Sequence, residues 1–148
     1  MPHTSELDAR IAALETRIAA LEDAYNAEHP AAPTTGTIEF SGDVELPIGH
    51  ISYQRVRPAA ALTDAAWNES LNRISALSHP IRTDIIRHLL QQPASVMELV
   101  NEKVVTSAGT AYHHISTLES AGWVAKKRGI YSIPDSRIVP LRGLVAWV

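Results

Sequence analysis

The residues with the most informative chemistry lie on one predicted helix within positions 106–121. At about 100° per residue, Ala111, Ile115 and Leu118 share one side of that helix, as the core residues of an amphipathic helix do. Roughly opposite lie small, hydroxyl and imidazole side chains, namely Gly109, Thr110, His113, Ser116, Thr117 and Ser120. Apart from Glu119 on its flank, this surface carries no carboxylate, so it could lie between two phosphate backbones and hydrogen-bond to base edges. A Ser/Thr-rich surface helix without a ligand is the alternative.

The remaining chemistry-bearing side chains do not predict a catalytic or metal site. His113 and His114 are about 100° apart around a helix, so they cannot both bind one ion from a single face. His79 precedes a proline at a helix start, and His88 lies a helix away from it. Metal sensing requires several ligands that converge on one ion, and this spacing does not predict such a group. The chain also lacks G-x-S-x-G, H-E-x-x-H and Gly-rich phosphate-binding motifs. We therefore expect no enzyme, no metal and no cofactor.

The elements around the central helix predict a winged helix-turn-helix domain. One helix begins near L-S-H-P-I-R and continues to Leu90, and Ser95 with Glu98 forms a capping box at the start of the next. The central helix follows and ends at Gly122. Residues 123–133 contain K-K-R-G between two short apolar runs, which predicts two strands joined by a basic turn, the wing.

This arrangement resembles the arsenic-repressor (ArsR) family of bacterial transcriptional regulators. The resemblance covers residues 71–133, about half of the chain, and includes L-S-H-P-I-R, I-I-R-H-L-L, S-V-M-E-L-V and T-A-Y-H-H-I-S-T-L-E-S-A-G-W-V. Its most specific part is the run H-H-[IL]-x-x-L-x-x-A-G. Metal-sensing members carry cysteines near the helix-turn-helix or Asp/His pairs on a long C-terminal helix. This chain has neither, so the resemblance implies a regulator that does not sense metals.

The resemblance also implies which residues contact DNA. The central helix would enter the major groove, with base contacts from Ala108, Gly109, Thr110, Tyr112 and His113, and the wing would contact the backbone through Lys126, Lys127 and Arg128. Three neighbours complete the candidate DNA-binding set: Ser107, His114 and Thr117. By helical angle His114 borders the core stripe, so a packed or phosphate-bonding role is favoured for it over a base contact.

The distribution of charge along the chain agrees with a nucleic-acid partner that binds to the second half. The 148 residues are 45% hydrophobic and carry a net charge of −3. Residues 1–74 hold 5 Lys/Arg against 11 Asp/Glu (−6), whereas residues 75–148 hold 8 against 5 (+3), where a phosphate-facing surface is predicted. The absence of cysteine excludes disulfides and thiolate sites. Without a membrane-length apolar run or a signal peptide, we expect a cytoplasmic location, associated with the nucleoid when bound to DNA.

The N-terminal residues 1–28 predict a coiled-coil dimerisation helix, capped at Thr4 or Ser5. Its apolar residues alternate spacings of four and three: Leu7, Ile11, Leu14, Ile18, Leu21 and Tyr25. Isoleucine at a and leucine at d favour a parallel dimer, in which Arg10 faces Glu15 of the other chain and Arg17 faces Glu22. The alternative is a single amphipathic helix packed on its own domain. Because three heptads are marginal alone, we expect a second dimer contact.

Residues 29–58 predict a linker and a small antiparallel β meander. Positions 26–36 contain two prolines and polar turn residues, and the period then changes to two, with turns predicted at 41–43 and 47–49. The apolar face of the meander must pack on something, because isolated strands are unstable. It is either a structural connector or part of an effector pocket lined by Phe40 and Tyr53, where an effector or a protein partner would bind.

Residues 59–148 are assigned to the winged helix-turn-helix domain. Its first helix is predicted over 58–77, with Thr63 as N-cap and Trp67 in the core or a dimer interface, and an apolar helix is predicted at the C-terminus. The fold class is thus mainly α with small β. The predicted function is a homodimeric, sequence-specific regulator of transcription, a repressor, that binds double-stranded DNA and no membrane. The alternative is an adaptor that binds proteins through its coiled coil and winged helix.

Overall fold

The computed structural model describes residues 3–29 and 34–147, with side chains described from residue 5 onward. The chain forms two compact units, Met1–Thr34 and Thr35–Val148. The β meander predicted between the linker and the helical domain is a two-stranded hairpin that belongs to the second unit, where the C-terminal helix packs on both of its strands. The face of the hairpin therefore finds the packing partner that isolated strands require.

The first unit is one long helix, α1 (His3–Glu28). It begins before the cap predicted at Thr4 or Ser5, and Glu6 in its first turn interacts favourably with the helix dipole. It continues past Asn26, where the linker was predicted to begin; positions 30–33 of that linker lie outside the described residues. The six apolar residues of the heptad pattern are between 51% and 68% exposed. The seam of α1 is therefore uncovered in a single chain.

Strands β1 (Thr37–Leu46) and β2 (Gly49–Pro58) form a single antiparallel hairpin. The turn predicted at 47–49 is confirmed, but the turn predicted at 41–43 is wrong, because β1 runs through these residues without a break. Gly42 pairs with Tyr53, and a Cβ at Gly42 would overlap the side chain of Val139 from the C-terminal helix. The glycine thus allows a helix to approach the sheet closely rather than forming a turn.

Helix α2 (Asp64–Leu77) follows a short 3-10 turn at Ala59–Ala61. The helix predicted over 58–77 therefore begins later than predicted, because residue 58 is still in β2. The predicted N-cap is confirmed, since the Thr63 hydroxyl accepts a hydrogen bond from the backbone N–H of Ala66 at 3.3 Å. Trp67, Leu71 and Ile74 are 59%, 62% and 48% exposed. The core alternative for Trp67 is therefore wrong, and one face of α2 has no cover in a single chain.

The next three helices are short and separately capped: α3 (Pro80–Leu89), α4 (Val96–Asn101) and α5 (Ala108–Ser120). His79 caps α3, with Nδ1 accepting from the backbone N–H of Ile81. At α4 the predicted capping box is confirmed: the backbone N–H of Glu98 donates to the Ser95 hydroxyl, and that of Ser95 donates to the Glu98 carboxylate. Both α3 and α4 pack on α5.

The chain ends with a second small hairpin, β3 (Ala125–Lys127) and β4 (Ile130–Ser132), and with α6 (Asp135–Ala146). The core is built mainly from residues of α3, α4, α5 and α6, and Trp123 and Tyr131 complete it. The largest fully buried side chains are Ile85, Leu89, Leu99, Ile115, Leu118 and Ile138. The apolar end of α6 leaves Val145 73% and Trp147 85% exposed. Those two side chains add to the uncovered apolar surface of the second unit.

The fold is mainly helical with small antiparallel β structure, as the sequence predicted. Each described sheet has two strands, and the hairpin β1–β2 precedes all the helices of the second unit. None of the helices within 3–29 and 34–147 has the length and hydropathy needed to cross a membrane.

Candidate nucleic-acid interface

Helix α5 is fixed at both ends by local interactions. At its start the Ser107 hydroxyl accepts a hydrogen bond from the backbone N–H of Thr110 at 3.1 Å. At its end Gly122 has a φ of 76°, the left-handed conformation that favours glycine after a helix. The side chain of Trp123, directly after this glycine, is buried and donates through Nε1 to the carbonyl of Arg73 at 2.8 Å. These contacts set where α5 begins and ends on the core.

The two faces of α5 divide as the sequence predicted. Ala111, Ile115 and Leu118 are fully buried and pack the helix on the core. Ala108, a predicted base contact, is half-buried and packs against the core with them. On the other side are exposed or half-buried residues: Gly109, Thr110, Tyr112, His113, Ser116, Thr117, Glu119 and Ser120. Tyr112 is 55% exposed, and Glu119 is the one charged residue in the helix. The outward face therefore offers hydroxyl, phenol and imidazole groups.

Two hydroxyls on this face already have intramolecular partners. The Ser107 and Thr110 side-chain oxygens are 2.9 Å apart, and the Thr117 hydroxyl donates to the backbone carbonyl of His113 at 3.3 Å. A hydroxyl that donates one bond keeps acceptor capacity for a second partner. Tyr112 and His113 are exposed, and their side chains have no hydrogen-bond partner among the residues that the structure describes.

His114 lies on the inner side of α5 and leaves the candidate DNA-binding set. It is 7% exposed, and its ring centroid is 4.5 Å from that of His79. Burial, followed by the neighbouring His79, His113 and Arg82, lowers the pKa of His114, which keeps the imidazole neutral near pH 7. Its Nδ1 has no hydrogen-bond partner among the described residues. The packed role that the helical angle favoured is thus the one the structure supports.

The basic hairpin (residues 125–132) presents three cations around a tight turn. Arg128 and Gly129 occupy the turn with φ of 54° and 81°, as type I′ hairpins require at both central positions. Lys126, Lys127 and Arg128 are exposed. Arginine rarely adopts a positive φ, so the turn accepts some strain while placing a guanidinium at its tip.

The hairpin is anchored on the core through Tyr131. Its backbone N–H and carbonyl exchange hydrogen bonds of 2.8 and 3.0 Å with Ala94, the residue before the α4 capping box. The Tyr131 ring is buried, and the Lys126 ammonium lies 5.4 Å from its centroid. The basic turn therefore projects from a fixed support.

Polar residues from two other helices extend the outward face of α5. A groove of about 390 Å³ is lined by Ser116, Thr117 and Ser120 of α5 together with Asn72, Ser75 and Arg82. The last three come from α2 and α3 and were absent from the candidates predicted from sequence. Arg82 lay within the L-S-H-P-I-R motif, but nothing in the sequence places its guanidinium beside α5.

The other predicted sites fall in different places. The coiled-coil residues lie on the separate first unit and are exposed. Phe40 lines two cavities of the second unit, whereas Tyr53 packs edge-on against it with ring centroids 6.0 Å apart. Phe40 therefore lines a cavity as predicted, whereas Tyr53 lines neither of these two cavities and contacts the Phe40 ring instead. Within 3–29 and 34–147, no three His, Asp or Glu side chains converge to hold a metal ion.

No protein-family model matches the chain, and neither a curated protein nor a solved structure matches it significantly. Its function is therefore inferred from its own residues and their geometry.

Proposed function

We propose that this protein is a homodimeric, sequence-specific DNA-binding regulator of transcription, with an ArsR-like winged helix-turn-helix domain that does not sense metals. The observation that carries the proposal is the outward face of α5, which exposes hydrogen-bonding side chains and a single carboxylate, Glu119. A helix with such a face fits the major groove, because negative side chains there would meet phosphates on both sides. We infer a repressor acting in the cytoplasm on nucleoid DNA.

The two parts of the interface have different tasks in this proposal. Gly109, Thr110, Tyr112 and His113 face the bases, whose edges accept and donate hydrogen bonds in a sequence-dependent pattern. The basic hairpin faces phosphates, which fixes the register of the protein on the duplex without reading sequence. The Arg82 guanidinium instead donates to the backbone carbonyls of Ala76 and Ser75 at the end of α2. The start of the hairpin and the end of α5 are joined by the buried residues Trp123 and Val124, a link that supports a fixed register between them.

Dimerisation would use two uncovered apolar surfaces. The first is the seam of α1, in which every heptad position is exposed. The second is a groove of about 660 Å³ between α2 and α6, lined among others by Ile74, Leu144 and Trp147. We assign both to a second copy of the chain, because the exposed Trp67 and Leu71 continue the apolar surface of α2 beyond that groove. Two copies would bind two half-sites and gain affinity through bivalency.

An adaptor that binds proteins is the second candidate. The observation in its favour is the acidic first half of the chain, with a charge of −6 over residues 1–74. An acidic segment is not attracted to the negatively charged DNA backbone, whereas a coiled coil and an apolar groove can both bind protein partners.

A band-shift assay on the DNA upstream of the protein's own gene, at two salt concentrations, separates the two candidates. The DNA-binding proposal predicts a discrete complex that resists unrelated competitor DNA and weakens as salt rises, because phosphate contacts release counterions. If competitor DNA removes the complex as effectively as the upstream DNA does, the adaptor is favoured.

A further inference from the structure

An apolar cavity of about 590 Å³ lies between β1, α3 and the C-terminal half of α6. This volume is within the range of small-molecule sites, roughly 300–1,000 Å³. Most of its lining is apolar, and the main side chains are Phe40, Val44, Ile86, Leu90, Val139 and Trp147. The cavity thus connects the hairpin to the helix that packs on α5.

Two glycines bring the walls of this cavity together. A Cβ at Gly42 would overlap Val139, and a Cβ at Gly143 would overlap the ring of Phe40. The hairpin and α6 are therefore in direct contact along one side, through Val139 and Phe40. Ile86 of α3 and Leu90, which directly follows that helix, are both buried in the core and supply another wall.

One end of the cavity is cationic. Arg87 and Arg142 line it and also line an adjoining polar depression of about 540 Å³, together with Lys103. The two carboxylates of that depression already have partners: Asp84 lies 3.7 Å from Arg87, and Glu102 lies 3.6 Å from His88. In the described part of the chain, Arg142 forms no ion pair. The polar end therefore carries an excess of positive charge.

We propose that this cavity binds an apolar monocarboxylate, with its hydrocarbon body against Phe40 and Ile86 and its carboxylate on Arg142. Burial of the ligand's hydrocarbon surface away from water favours its binding in the cavity, and arginine can bind a carboxylate through two parallel hydrogen bonds. Binding itself is independent of the proposed function. Its regulatory consequence, a changed affinity for DNA, rests on that function, because α3 packs on α5.

Titration calorimetry on the full-length chain tests the site with decanoate, a naphthalene carboxylate and the neutral analogue decanol, all below micelle formation. We expect one carboxylate per chain. Arg142→Gln should weaken decanoate at least about tenfold, the value of one lost charge-assisted hydrogen bond, and leave decanol unchanged. Ala146→Trp, at an exposed position on the cavity wall, should abolish binding of both. Arg57→Gln, an exposed arginine on the hairpin, is the matched control and should change nothing.

Several outcomes would overturn the proposal. These are no heat with either carboxylate, equal losses in Arg142→Gln and Arg57→Gln, or binding that survives Ala146→Trp in a folded variant. Binding that appears only when the dimer is diluted to monomer would mean that a second copy covers the cavity. If decanoate binds as expected but no complex forms with DNA, the site stands and the regulator proposal fails.

Discussion

Replacing Leu14 and Leu21 of α1 by lysine should weaken self-association strongly. The two side chains are 53% and 68% exposed in a single chain, so about half of each remains to be buried in a dimer. Full burial of a leucine is worth about 1.5–3 kcal/mol, and half of it about 1 kcal/mol. The four leucines of a dimer then contribute about 4 kcal/mol, which corresponds to roughly a thousandfold change in the dissociation constant. Repulsion between the new lysines adds to the loss at low salt.

Sedimentation equilibrium of the full-length protein over a wide concentration range measures this constant directly. The matched control is Ala13→Lys with Ala20→Lys, which adds the same charge at exposed c positions of the same heptads. Lysine has nearly the helix propensity of leucine, so the circular dichroism of α1 should not change. The control should dimerise like the wild type.

The coil assignment is refuted if the leucine variant and the control have the same dissociation constant as the wild type. Such a result would leave the groove between α2 and α6 as the dimer contact. It would not contradict the proposed regulator, because α5 and the basic hairpin do not depend on α1.

Three further predictions concern the second unit. Replacing residues 126–128 by alanine should lower affinity for all DNA sequences alike and reduce the log–log salt slope by about 0.9 per lost phosphate contact; an unaltered slope in band-shift titrations would mean that the hairpin does not touch DNA. Because burial lowers the pKa of His114 below 6.5, the unfolded chain binds a proton at this histidine before the folded chain does, and the free energy of unfolding should decrease as the pH falls below 6.5. Urea denaturation should show a smaller decrease in His114→Phe. An identical decrease in the variant and the wild type would contradict the buried neutral imidazole. Gly42→Ala should destabilise the chain by about 1–3 kcal/mol through overlap with Val139, and Val139→Ala in the same chain should recover part of that loss, whereas additive losses would argue against the contact.

The helix caps could be predicted from sequence because each depends on residues within one turn. Thr63 and Ser95 both accept the backbone N–H three residues later, as their positions before apolar runs predicted. Ser107, predicted only as a DNA contact, caps α5 in the same way. The basic turn could be predicted for the same reason, because it depends on the adjacent residues Arg128 and Gly129, which join two short strands. The long helix α1 could likewise be predicted from the heptad pattern alone, without knowledge of distant contacts.

The errors arose where distant residues decide the outcome. A glycine followed by an aspartate at 42–43 resembles a turn, and only Val139 on α6 explains why the strand continues. The amphipathic pattern of α2 identified its apolar face but not what covers it, so Trp67 could be assigned to core or interface. Asn72 and Arg82 join Thr117 at one groove because three helices converge there. A single sequence contains no signal for that convergence.

The central claim, that α5 contacts bases, is tested most directly by the ratio of specific to non-specific DNA affinity in Thr110→Ala/His113→Ala. Both side chains lie off the buried stripe, so stability should stay within roughly 0.5 kcal/mol of the wild type. A good base contact is worth about 1–3 kcal/mol, so the ratio should fall by roughly ten- to a hundredfold while non-specific affinity stays nearly constant. An unchanged ratio in a folded double variant would contradict base contact by α5 and favour the protein-binding adaptor.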